Sequence, residues 1–155
     1  MKSQNDAMTS STPYLGGCLC GQIRFRIAAE PAAARVCWCR DCQRLAANGT
    51  ANALFTTDAI EIHGEPARFD KPADSGNTVT RRFCPRCGTQ LFADSTGRPG
   101  FTVVRIGTLD EPSRVRPGAN IWTASAPAWA CLDGALDSFP AAAPNPSAPS
   151  TPAGH

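Results

Sequence analysis

Cys84-Pro85-Arg86-Cys87-Gly88 is the stretch on which the fold turns. Two cysteines separated by two residues bring two thiolates to one metal ion, at about 2.3 Å from each sulfur for zinc, and the glycine that follows permits the backbone turn that aims amides at those sulfurs. This is the pattern of a zinc knuckle. A structural zinc is tetrahedral and takes four ligands, so the knuckle requires a second pair. Gly17-Cys18-Leu19-Cys20-Gly21, at the entrance to a predicted strand, offers one. The spacing predicts a closed four-thiolate site on Cys18, Cys20, Cys84 and Cys87.

A third group, Cys37-Trp38-Cys39-Arg40-Asp41-Cys42, places three thiols within six residues. Three protein ligands and one open position make the arrangement of a catalytic zinc, whose fourth place belongs to water or substrate. Three other readings stand beside it. Cys131, the one cysteine outside the groups, would close this site as a fourth thiolate and make both zincs structural. Disulfide pairing would need a strained loop where single residues separate the cysteines. The triplet would otherwise share a metal with the knuckle.

Around these groups the apolar pattern alternates with period two. In Gln22 to Ile27, Ile23, Phe25 and Ile27 face one way, and Gln22, Arg24 and Arg26 the other. Residues 59–62, 78–83, 90–93 and 101–106 read as further strands, rich in β-branched and aromatic types, with 51–55 and 120–122 weaker. Gly and Pro recur too often for long helices, and the Ala-rich stretch 28–34 is interrupted by Pro31. A mostly β domain is expected over residues 14–139. Residues 1–13 carry no pattern, and residues 140–155, PAAAPNPSAPSTPAGH, lack a large apolar anchor, so both are expected to be disordered.

Composition narrows the partners. A chain of 155 residues with eight cysteines, and with no leader-like apolar segment at its start, is expected to be cytoplasmic, where thiols serve as metal ligands more readily than as crosslinks. No apolar run is long enough for a membrane span. A net charge of +2 falls short of the dense positive field of a dedicated nucleic-acid binder, so no nucleic-acid partner is expected. The alternative to an enzyme is a zinc-stapled binding module for protein or nucleic acid.

Gly16-Gly17-Cys18-Leu19-Cys20-Gly21, Ile23-Arg24-Phe25, Cys39-Arg40-Asp41-Cys42-Gln43 and Phe83-Cys84-Pro85-Arg86-Cys87-Gly88-Thr89, in this order, resemble the glutathione-dependent formaldehyde-activating enzyme family, related to centromere protein V. The resemblance runs over most of Leu15 to Trp129. It implies a β-tent of small antiparallel sheets holding two Zn2+ ions: a structural one on Cys18, Cys20, Cys84 and Cys87 and a catalytic one on Cys37, Cys39 and Cys42. It further implies a carbon-sulfur lyase that adds glutathione to formaldehyde, giving S-hydroxymethylglutathione. Members of that family commonly carry histidine where this chain has Trp38, and often where it has Asn120.

Only His63 and His155 are present, so imidazole catalysis is not expected, and His63 reads as a surface turn residue. An open zinc would hold a substrate thiol as thiolate, with a small aldehyde as its acceptor. Asp41, between two ligands, is the nearest acid for a proton relay, or else shapes the ligand loop. Arg40 and Arg44 would offset the thiolate charge or grip a substrate carboxylate, while Arg81, Arg82 and Arg86 are assigned to balance the four-thiolate site. Trp38 would wall the pocket over the open zinc. Trp122 and Trp129 read as buried core, with a pocket wall as the alternative.

Overall fold

A computed structural model of the chain describes residues 12–144 and 146. It is mostly β, in two sheets. The smaller consists of β1 (Tyr14–Gly17), β2 (Arg24–Ile27) and β5 (Ile60–His63), all antiparallel. Its alternation follows the sequence: Phe25 and Ile27 are buried, Arg24 and Arg26 exposed. The larger is built of β3 (Ala33–Cys37), β4 (Thr50–Thr56), β6 (Ala67–Pro72), β7 (Thr78–Phe83), β8 (Gln90–Ser95), β9 (Phe101–Arg105), β10 (Ala119–Ile121) and β11 (Asp137–Ser138). Its order is β11-β10-β3-β4-β9-β8-β7-β6. Neighbours pair antiparallel except at one edge, where β10 lies parallel to both β3 and β11.

Strand pleating gives the large sheet two unlike faces. Ala53, Phe55, Phe92 and Val104 point to one side and meet Tyr14, Ile23, Phe25 and Ile27 of the small sheet in a single apolar core. Phe25 and Phe92 join the sheets directly, with ring centroids 5.2 Å apart and planes at 70°. The other face carries only the small cluster Leu54, Ala93 and Val103 among polar neighbours. Outside the core, Arg24 grips Asp110 with two bonds, at 3.0 and 2.5 Å, and ties β2 to the chain beyond β9.

Among the described residues there is one α-helix, α1 (Arg40–Ala46), and it was not anticipated. Seven residues span about two turns, too few for an apolar period to register, and its cap is a cysteine: the Cys39 sulfur accepts from the Cys42 amide. Ala33 and Ala34, part of the Ala-rich stretch, lie instead in β3, hydrogen-bonded on one side to β4. The expected C-terminal boundary also moves. Residues 140–144, set aside as disordered, are held to the fold: the amides of Trp122 and Ala124 donate to the carbonyls of Ala141 and Pro140 at 3.0 and 3.3 Å. Apolar anchorage was the criterion, whereas main-chain hydrogen bonds hold this segment. Residues 1–11, 145 and 147–155, with His155, lie outside the described residues. Among the described residues no helix is long and apolar enough to cross a membrane.

Phe92 is fully buried between the sheets. Phe92→Ala is expected to cost about 3–5 kcal/mol, read as a lower urea midpoint with the slope retained; a loss under about 1 kcal/mol would show that the sheets are held together by something else.

Candidate metal centres and a basic cavity

The first sulfur cluster joins the two sheets. Cys18 and Cys20 sit in the turn between β1 and β2, Cys84 and Cys87 in the turn between β7 and β8, and their four sulfurs lie within 4.8 Å of one another. The Cys20 sulfur is 3.6 Å from that of Cys18 and 3.7 Å from that of Cys84. A tetrahedral ion with sulfur bonds of about 2.3 Å requires edges near about 3.8 Å, so the set fits a zinc-sized ion. Both turns use the same device. Gly21 and Gly88, each directly after the second cysteine, take φ of +80° and +78° and donate their amides to the carbonyls of Cys18 and Cys84. The Ile23 amide points at the Cys18 sulfur at 3.2 Å. Thr89 Oγ1, 3.2 Å from the Cys87 sulfur, hydrogen-bonds it and holds that thiol down at about 5.

Cys37, at the end of β3, and Cys39 and Cys42, at the cap and in the first turn of α1, form the second cluster, their sulfurs also within 4.8 Å of one another. Among the described residues no further His, Cys, Asp or Glu joins them within that limit. The three thiols titrate unevenly: hydrogen bonds from Cys37 and Cys39 pull Cys42 down to about 2, aided by Thr50 and the charge of Arg105, while the same contacts push Cys37 above the ordinary thiol range. A divalent cation would hold all three as thiolates. The loop is braced by Gln43, whose Nε2 donates to the carbonyls of Trp38 at 2.7 Å and Ser125 at 3.0 Å.

This cluster opens onto a cavity of about 270 Å3 on the polar face of the large sheet. Arg35, Arg81, Arg98 and Arg105 line it, with no Asp or Glu among its walls in the described residues. Arg81 and Arg105 are each only 8% exposed. Arg105 donates to Asn52 Oδ1 at 2.6 Å and Arg81 lies 3.6 Å from Asp41, yet the Nε of each is buried without a partner. Arg35 and Arg98 are half-buried. Burial, then the nearby charge of Arg35, lowers Arg98 from its ordinary value.

The sequence profile of the glutathione-dependent formaldehyde-activating enzyme family matches residues 13–125. The chain belongs to that family. A Halomonas elongata protein whose name assigns it to the same family is 30% identical over 86 residues, half of this chain, and the chain spans 53% of that relative's length. A crystal structure of a Rhodobacter sphaeroides protein, 22% identical, superposes with a TM-score of 0.50 over 66% of this chain and 91% of its own. That likeness concerns the fold.

For this member of the formaldehyde-activating family, the structure brings Cys37, Cys39 and Cys42 together and places the other expected groups as follows. Cys131 is exposed and lies outside both clusters. Asp41 is not among the lining residues and is engaged by Lys71 at 2.6 Å as well as by Arg81. Arg40 and Arg44 are exposed and are not among the lining residues; Arg40 bonds Gln43. His63 is exposed and pairs with Glu61. Arg81, assigned above to the four-thiolate site, instead lines the cavity of the triplet, because β7 turns Val79 and Arg81 to the polar face; Arg82 faces the core side, over the Phe92 ring at 5.0 Å, and pairs with Asp94. Trp122 and Trp129 are not core. Trp122, held in the left-handed region at φ 57°, is 38% exposed and lines the cavity, and Trp129 is 67% exposed, edge-on to Trp38. Where relatives were expected to carry histidine, Trp38 is buried and Asn120 donates to the Asp133 carbonyl at 3.2 Å.

Arg35, Arg98 and Arg105 were missed. For two of them a signal existed: Ala33, Arg35 and Cys37 share a strand parity, as do Val103 and Arg105, so extending the alternation back from Cys37 would have found Arg35. Arg98 sits in the β8–β9 connection, where no periodicity applies.

The ligand loop also depends on Gly49. A Cβ there would stand 2.7 Å from the Trp38 ring. Gly49→Ala is expected to displace the indole and lower stability by about 1–3 kcal/mol, read by thermal melting with altered near-ultraviolet circular dichroism; wild-type melting and spectrum would show that the contact relaxes freely.

Proposed function

We propose that this chain is a zinc enzyme of the carbon-sulfur lyase type that joins a small thiol, glutathione by the family's name, to formaldehyde. The observation that carries this reading is the position of Cys37, Cys39 and Cys42: three sulfurs without a fourth protein ligand among the described residues, opening into a cavity whose charged walls are all cationic. Cys18, Cys20, Cys84 and Cys87 would hold a second, structural zinc. When bound to the triplet, zinc supplies a Lewis acid that favours the thiolate form of an incoming thiol.

The chain's own groups account for the rest. In the overall change the thiol S–H bond breaks, sulfur bonds to the carbonyl carbon, and the carbonyl pair moves onto oxygen, which takes up the proton. Arg105, buried beside Cys42 and fixed by Asn52, places its guanidinium charge at the cavity wall, where it stabilises the oxygen on which charge develops. Asp41 acts as a positioning residue: with Lys71 and Arg81 on its two oxygens it holds the Arg81 guanidinium at the cavity wall, and it is not required to move a proton. Trp122 narrows the cavity. The binding-module alternative is less well supported, since a flat polyanion would need these guanidinia on the outer surface, and Arg81 and Arg105 are buried.

Mixing zinc-loaded protein with glutathione and formaldehyde and following adduct exchange by NMR tests the reaction. Acceleration is expected, and no gain over the uncatalysed rate would overturn the reading. Metal analysis separates the two clusters. Cys42→Ser is expected to lose one zinc and the acceleration with little change in Tm, whereas Cys84→Ser is expected to lose the other zinc and about 10 °C of Tm.

A further inference from the structure

We propose that Arg35 and Arg98 form an anion-recognition pair at this cavity, selecting a thiol that carries two carboxylates over neutral or cationic thiols. The inference rests on the enzyme reading above and assigns specificity within it. Its first support is charge. Four guanidinia line the cavity, and the charges that answer them are few: one net negative charge from a divalent ion on three thiolates, and the carboxylates of Asp41 and Asp94, which face Arg81 and Arg98 but are also paired with Lys71 and Arg82. The cavity is left cationic for a ligand to neutralise. Half-buried like charges side by side are costly until an anion joins them.

The second support is the division of labour among the arginines. Arg105 is held by Asn52, with Thr50 at 3.4 Å, and Arg81 faces Asp41, so both are anchored deep in the sheet. Among the described residues Arg35 donates only to a neutral acceptor, the Pro144 carbonyl at 2.6 Å, delivered by the segment whose Ala142 and Ala143 also line the cavity. A carboxylate oxygen taking the place of that carbonyl would exchange a neutral hydrogen bond for a charge-assisted one. The reach is suitable. Arg35 lies two residues before Cys37 on the same strand face, about 7 Å along the strand, so a thiol at the triplet can extend its carboxylates to the pair.

Titration calorimetry of the zinc-loaded full chain with S-methylglutathione, a dicarboxylate without a free thiol, tests this apart from turnover. Saturable binding that weakens with added salt is expected, with none for the cationic S-methylcysteamine. Arg35→Gln and Arg98→Gln are each expected to weaken S-methylglutathione binding about tenfold or more. Arg98→Lys, which keeps the charge and loses the planar fork, is expected to recover part of the loss. Wild-type affinity in both Gln variants, equal binding of S-methylcysteamine, or a Lys variant as weak as Arg98→Gln would overturn the assignment. The two readings fail separately. Binding as described without accelerated adduct formation removes the enzyme and leaves the pair; acceleration with unaltered binding in the Gln variants does the reverse.

Discussion

Four sulfurs from two hairpins, with Cys20 and Cys84 separated by 64 positions in the chain, must occupy one small volume, and most of the architecture follows from that constraint. Thiolates at such distances repel one another unless a cation sits among them, so the turns that carry them are built to hold sulfur against that repulsion. Amides aimed at sulfur, left-handed glycines after the second cysteine and the Thr89 hydroxyl are the devices used. The cluster binds the edge of the small sheet to a hairpin of the large one. Between them lie Phe25 and Phe92, and apolar burial then completes what the sulfurs align.

Once one face of the large sheet is committed to that core, pleating dictates the other. Every strand that sends an apolar residue inward sends its neighbours to the opposite side, and on β3, β7 and β9 those neighbours include Arg35, Arg81 and Arg105. Period-two geometry alone therefore gathers cations from strands far apart in sequence and delivers them to the face on which β3 ends at Cys37. The cavity and the core are two faces of one sheet, and neither can be re-registered without moving the other.

This explains which features could be read from the sequence. Cysteine spacing is local, so the pairs Cys18/Cys20 and Cys84/Cys87 and the triplet were legible, as was alternation in segments such as Thr78 to Phe83. The helix Arg40–Ala46 was not, because its cap is a sulfur and its length is two turns. Arg81 was placed with the nearer knuckle by sequence distance, whereas strand parity carries it to the triplet. Asp41 is adjacent in sequence to the ligands yet points outward to Lys71, since neighbours on a helix diverge by about 100°. The segment 140–144 has the composition of a linker and is held by backbone groups, to which composition is blind.

The choice of arginine for this cavity has a consequence for how its field behaves. With two histidines in the chain, one of them the exposed His63 and the other in the tail, the described cavity contains no imidazole to gain or lose charge near neutrality. Guanidinium stays protonated at any pH the protein meets. The cationic field over Cys37, Cys39 and Cys42 is therefore constant, and the titrating partner is the incoming thiol. An imidazole would serve as an acid or base only over a narrow range of pH; a buried guanidinium offers fixed donors and charge across the whole of it. Trp38 and Asn120 are then consistent with such a site, one packing beneath the ligand loop and the other bonding the chain at Asp133, because the electrostatic work falls to groups that do not exchange protons.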